Sequence, residues 1–285
     1  MPLKRLIICL ITLFLTLPLV SFTNNSNIPL NRIQTIVIDP GHGGKFPGAS
    51  GKYSREQDVT LQVAFLLGKA IEENLKDVKV IYTRTSDKEL ASVKAVDLRE
   101  RINIANRANA DLLISIHCNS MGYIRYNTGR KNSRGRPIYG ERRETATKGV
   151  ETFVAGFARL DEQEDALGEF AVLKEEYKAD AKLDSNDPET AIAFSLVANE
   201  LRKKSIQLAS LIQDEYIAVG RVNRGFKEQS LAVLRTAIMP CVLTEIGFIS
   251  NPEEEDYINS PTGQNEIVSC LLKAIQAYKK HVEFE

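Results

Sequence analysis

The chain has 285 residues, with 37 Lys+Arg against 37 Asp+Glu and a formal net charge of +0. That balance excludes a whole-chain bias towards nucleic acid or an anionic membrane surface. Four cysteines and no tryptophan are too few to build a disulfide scaffold, which is cysteine-dense in the small secreted domains that use one.

Lys4 and Arg5 precede an almost unbroken apolar run from Leu6 to Val20, and a small polar stretch, Ser21 to Ser26, follows. This is the layout of a secretory signal, and the run is short for a membrane span. Residues 1–23 therefore read as a signal peptide, with an uncleaved N-terminal anchor as the alternative. A mature chain that works in the periplasm or is secreted follows, with no stable membrane anchor once the signal is removed. Roughly 260 residues then remain, which suits one domain with a large core, with or without an insertion. Cys118, Cys241 and Cys270 remain with them, and an odd number leaves at least one unpaired.

Thr35-Ile36-Val37-Ile38 reads as a buried strand, broken by Asp39-Pro40-Gly41, and His42 follows between glycines. Small neighbours let other groups approach an imidazole. Ser54 with Gln57 reads as a capping box, opening a helix with Val59, Val63, Leu66, Leu67, Ala70 and Ile71 on its buried face. Glu56 falls in the first turn, near the positive end of the helix dipole. Val78 to Thr83 is a second strand. Asp97 reads as the cap of a second helix, whose apolar stripe is Leu98, Ile102 and Ala105. Asp111 then leads into a third strand, Leu112 to Asn119, which runs straight into His117. This strand and helix alternation predicts an α/β fold, a single domain with a mainly parallel twisted sheet flanked by helices. His42 and His117 then lie at one edge of that sheet.

Met121 to about Tyr139 is polar and turn-rich and reads as a mobile surface loop. Gly149 to Val154 is a further strand candidate. Leu160 to Asp187 is acid-rich and reads as an inserted, partly helical segment, so the insertion spans about 121–187. Asp187-Pro188-Glu189 opens a long helix with Pro at its first position. Gln229 to Arg235 is another strand candidate. Met239 to Asn251 is a β-rich run carrying Glu245, and a carboxylate in a buried strand is costly unless it is paired or bound. Asn251-Pro252 and Ser260-Pro261 open the last two helices, and His281 falls in a charged tail as a surface residue.

Two imidazoles and one carboxylate are a ligand set used for catalytic zinc, with a fourth position left for water. Such an ion activates water near neutral pH and polarises a carbonyl. A further carboxylate beside it can take a proton and pass it to a leaving amine. His42, Glu56 and His117 are the candidate ligands for Zn2+, and Glu245 the candidate base. The residues are far apart in sequence, and HExxH is absent. On the residues alone, a metal hydrolase and a binding protein on the same α/β core both stay open.

Five motifs make the likeness specific. They are Ile38-Asp39-Pro40-Gly41-His42-Gly43-Gly44, Glu56 with Asp58-Val59, Thr83-Arg84 with Asp87, Ala110-Asp111 through Ser115-Ile116-His117-Cys118-Asn119, and Thr244 through Asn251. In these the chain resembles the zinc-dependent N-acetylmuramoyl-L-alanine amidases of bacterial cell walls, over about residues 34 to 280. The resemblance implies a catalytic domain over about 34–282, zinc held at His42, Glu56 and His117, and a catalytic Glu245. It implies hydrolysis of the amide between N-acetylmuramic acid and the L-alanine of the stem peptide, in cell separation or wall turnover, with peptidoglycan as the partner substrate. A zinc peptidase on stem peptides and a non-catalytic peptidoglycan-binding regulator are the alternatives. Some members similar to this chain carry an inserted helix that blocks the zinc with a glutamate. By that resemblance Glu169 is the autoinhibitory candidate, with Glu162, Glu164, Glu175 and Glu176 as alternatives, and a protein activator would displace the insertion. Gln57 stands where the family commonly has lysine. No appended wall-binding module is expected.

Overall fold

The computed structural model describes residues 32–156, Ala166 and residues 188–284. The predicted signal peptide, Glu169 and the other acids of the segment 160–185 lie outside the described residues.

Six strands form the central sheet: β1 (Thr35–Pro40), β2 (Lys79–Tyr82), β3 (Leu112–Asn119), β6 (Val150–Ala155), β7 (Asn223–Gln229) and β8 (Cys241–Phe248), in the order β2-β1-β3-β8-β6-β7. β2, β1, β3 and β8 run parallel, while β6 pairs antiparallel with β8 and parallel with β7. The parallel strands end at one edge of the sheet, where β1, β3 and β8 deliver the residues singled out in the sequence.

Among the described residues, five helices pack on this sheet: α1 (Glu56–Asn74), α2 (Lys94–Arg107), α3 (Pro188–Ala218), α4 (Pro252–Asn259) and α5 (Pro261–Phe284). On one face, Ile36, Ile38, Ile114 and Val242 pack with Val63 and Leu67 of α1, Leu208 and Ile212 of α3 and Leu271 and Ile275 of α5. On the other, Val37, Leu113 and Leu243 pack with Ile102 and Ala105 of α2 and with Leu234 and Met239. Alternating strand residues thus face opposite cores, so the central strands are apolar on both sides. Each fully buried Ile or Leu contributes about 1.5–3 kcal/mol.

Four local expectations are corrected. Residues 121–139 are not a loop: Tyr123–Lys131 (β4) and Pro137–Arg143 (β5) pair as an antiparallel hairpin. Its residues are mostly exposed, so apolar alternation never marks the strands. The strand expected at Gln229–Arg235 is instead β7, which ends at Gln229, and residues 232–236 form turns. β7 is an edge strand with a mostly exposed, polar sequence. Ser54 does not cap α1: Arg55 is the cap residue without a side-chain bond, and Ser54 Oγ donates to Glu255 at 2.8 Å. Asp97 lies inside α2, which starts at Lys94, and its carboxylate accepts from the Leu90 and Ala91 amides and from Arg101. By contrast Asn251 does cap α4, accepting from Glu253 and Glu254. Among the described residues no helix is long and apolar enough to cross a membrane.

Candidate metal centre

β1 ends at Pro40 and the chain turns back on itself at once. His42 sits at φ 63 and Gly43 and Gly44 at φ 134 and 56, left-handed or related conformations that favour glycine and are uncommon for histidine. A buried polar frame holds this turn. Asp39 is 0% exposed and accepts from Thr83 Oγ1 at 2.5 Å, Ser115 Oγ at 2.7 Å and Arg101 Nη1 at 2.8 Å. Arg101 also donates to the carbonyls of Pro40 and His42, at 2.8 and 2.6 Å. Arg84 donates to the carbonyls of Pro40, Gly41 and Gln57. Asp87 accepts from the Gly44 amide and from Gln57 Nε2, both at 2.8 Å. Burial, the largest influence on Asp39, would raise its pKa; Arg101, Thr83 and Ser115 outweigh it and hold the carboxyl below its ordinary value.

Three side chains converge at the sheet edge. Glu56, first residue of α1, sets Oε2 at 3.2 Å from His42 Nε2 and Oε1 at 2.8 Å from His117 Nδ1. The imidazoles meet edge to face with centroids 4.9 Å apart. Glu56 also accepts from the Ala49 amide at 2.7 Å and the Cys118 amide at 3.0 Å. Burial would raise its pKa, yet the bonds to His117 and His42 leave it well below the usual carboxylate range. A carboxylate that stays ionised is what a cation ligand requires.

The donor set fits a zinc-like divalent ion. One ligand atom from each of His42, Glu56 and His117 lies within 4.8 Å of the others, and two imidazoles with one carboxylate suit that metal. The surrounding chain is cut away to admit the rings. A Cβ on Gly41 would come within 2.5 Å of the His117 ring, and one on Gly48 within 2.4 Å of Glu56 Oε2 and 2.6 Å of His42 Cδ2.

Glu245 on β8 is the register partner of His117 on β3 and of Glu151 on β6. Its Oε2 is shut off from solvent and makes no hydrogen bond. Burial first, then the charges of Glu56 and Glu151, push its pKa well above the ordinary value. Glu151, only 4% exposed, is bound by Arg224 Nε at 2.5 Å, Lys227 Nζ at 3.0 Å and Asn119 Nδ2 at 3.0 Å. Among the described residues, a carboxylate held by two cations thus lies beside one held by none.

The sequence singled out His42, Glu56, His117 and Glu245, and the structure sets all four at one edge. It missed Arg101 and Glu151. Arg101 lies on α2 three residues from Leu98, a spacing that keeps it near the buried stripe. Glu151 stands inside the apolar run of β6, the same signal that marked Glu245. Cys118, Cys241 and Cys270 are all free and buried, and burial raises the Cys118 thiol well above its ordinary value.

An α/β sheet with a His–Glu–His cluster at the carboxyl ends of its parallel strands defines a class of metal-site proteins, and comparison with known proteins narrows it. The family described as N-acetylmuramoyl-L-alanine amidase matches residues 36–277, and the chain belongs to that family. It is 31% identical over 246 residues to N-acetylmuramoyl-L-alanine amidase AmiC of Escherichia coli, covering 85% of this chain and 52% of AmiC. The chain therefore spans about half the length of that relative. It is 26% identical over 270 residues to the germination-specific N-acetylmuramoyl-L-alanine amidase of Bacillus subtilis, covering 90% of this chain and 86% of the relative. Among solved structures, the CwlD amidase of Clostridioides difficile, in complex with the GerS lipoprotein, superposes with a TM-score of 0.59 at 23% identity, over 87% of this chain and 99% of CwlD. At that identity the likeness speaks for the fold.

Proposed function

We propose that this chain is a zinc-dependent N-acetylmuramoyl-L-alanine amidase that hydrolyses the amide between N-acetylmuramic acid and L-alanine in peptidoglycan. The observation that carries the reading is the convergence of His42, Glu56 and His117 beside a Glu245 carboxyl with no cation of its own. When bound, zinc supplies Lewis acidity to the amide carbonyl and acidity to the attacking water. His42, Glu56 and His117 are the residues that hold it, and the frame of Asp39, Arg84 and Arg101 fixes the backbone that presents His42.

Glu245 takes the proton released as the water oxygen bonds to the lactyl carbonyl carbon. It then hands that proton to the alanine nitrogen as the C–N bond breaks. The products are a free muramic carboxyl group and a stem peptide with an amino-terminal alanine.

The catalytic domain in this reading covers about 34–282, with an insertion at about 121–187. Residues 1–23 serve as an export signal that sends the chain to the periplasm or medium. Glu169 closes the metal site until a protein activator draws the acid-rich segment, Leu160 to Asp187, away. That CwlD was solved with a lipoprotein partner supports a partner for this chain, and the acid-rich composition of 160–185 supports the blocking segment. Two preparations test both parts: the full chain, and the chain lacking residues 160–185, each incubated with peptidoglycan and zinc. Stem peptides with a free alanine amine support the amidase, and their appearance only after the deletion supports the block. Equal or lower activity in a folded deletion variant removes the autoinhibition.

A further inference from the structure

The hairpin β4–β5 carries a block of exposed chemistry that the proposed reaction does not use. Residues 123–143 hold seven arginines and lysines against one glutamate, in a chain of formal net charge +0. Among the described residues, none of these cations pairs with a carboxylate.

The register sorts the side chains by face. Tyr123 stands opposite Arg143, Arg125 opposite Glu141 and Asn127 opposite Tyr139. Side chains alternate along a strand, so these six share one face. Tyr123 is 73% and Tyr139 51% exposed. The Arg125 guanidinium lies over the Tyr139 ring, 4.7 Å from its centroid, which holds a long cationic side chain in place before any ligand arrives. At the root of the same face, Arg143 donates to the Ser50 carbonyl and to Ser120 Oγ. Ser50 belongs to the loop between His42 and Glu56, and Ser120 directly follows β3. The root of the face is therefore tied to the loop that carries His42 and to the end of β3.

We infer that this face is an arm that binds the polymeric substrate beyond the bond that is cut. A peptidoglycan strand would lay sugar rings on Tyr123 and Tyr139 and bring stem-peptide carboxylates to Arg125 and its neighbours. The inference rests on the amidase reading of the adjoining site. Tyrosine and arginine also suit a protein partner. Continuity with the loop that presents His42 favours the molecule that occupies the site, and the cation excess favours an anionic one.

The test uses the full chain loaded with zinc and the double variant Arg125→Ser/Tyr139→Ser, with circular dichroism showing that both fold. Co-sedimentation with insoluble peptidoglycan reads binding without turnover. Hydrolysis is compared on that polymer and on a soluble N-acetylmuramoyl-peptide monomer, for each protein with and without residues 160–185. The arm predicts binding about tenfold weaker in the variant, and a comparable rise in KM on the polymer. It predicts little change on the monomer, and wild-type binding that weakens as salt is raised. Equal sedimentation and equal KM on the polymer would overturn the arm and leave the face to a protein partner. Arm-dependent sedimentation with no hydrolysis of either substrate, by the wild type or by the folded chain lacking residues 160–185, would uphold the arm and reject the amidase reading.

Discussion

Glu245 and Glu151 stand directly opposite one another across β8 and β6, and among the described residues Glu151 alone of the two has cations on it. Arg224 and Lys227 reach Glu151 from β7, while Glu245 Oε2 has no partner. The edge strand β7 thus neutralises one carboxylate of the pair and leaves the other to the site. Replacing Glu151 by Ala should cost about 1–3 kcal/mol, because Asn119 and two cations lose an acceptor that is itself buried. The low end is expected, since Arg224 and Lys227 side chains are 37% and 48% exposed and can return to water. Urea denaturation of the variant against wild type reads the difference.

Removing the proposed proton carrier should separate chemistry from metal binding. Glu245→Gln is expected to lower kcat by about 10²–10⁴-fold, with zinc per chain unchanged. Turnover measured beside elemental analysis checks both halves, and loss of zinc in this variant would make Glu245 part of the binding set.

Gly48 tests how closely the loop must approach the ligands. It sits at φ +73, and an added Cβ would meet Glu56 Oε2 at 2.4 Å. Gly48→Ala should displace the carboxylate and weaken zinc binding about tenfold or more, while the chain still folds. A competition titration with a zinc-sensitive dye gives the affinity.

The Asp39–Arg101 pair tests the frame beneath His42. Arg101 is 2% exposed and Asp39 0%, so Arg101→Met strands a buried charge and should destabilise the fold by about 3–5 kcal/mol. The folded-state pKa of Asp39 lies below the ordinary 3.8. Its contribution is therefore present at neutral pH and is lost as the pH falls through that lowered value. In Arg101→Met the opposing influence of burial gains ground, so the Asp39 contribution should fade at a higher pH than in wild type. Urea midpoints followed down to about pH 3 report the change.

What could be read from the sequence follows from where each signal originates. His42, His117 and Glu245 were legible because they lie in or just beyond apolar strands, and a charge or imidazole in such a run is conspicuous. The parallel core was legible for the same reason. Ser54 misled because its local capping pattern loses to Glu255, 201 residues away, which also accepts the Lys52, Tyr53 and Ser54 amides. β7 and the hairpin strands β4 and β5 were hidden because exposed strands need no apolar period. Arg101 was hidden because its partners, Asp39 and the Pro40 and His42 carbonyls, lie about 60 residues away in sequence, where no spacing rule reaches.

The most direct test of the account is the identity of the product. Purified, zinc-loaded protein, with and without residues 160–185, is incubated with peptidoglycan, and the soluble fragments are read by mass spectrometry beside a Glu245→Gln control and a chelator. The account predicts intact stem peptides that begin with a free L-alanine amine, absent from both controls. Shorter peptides cut between stem-peptide residues, or fragments that persist with Glu245→Gln or with the chelator, would contradict it.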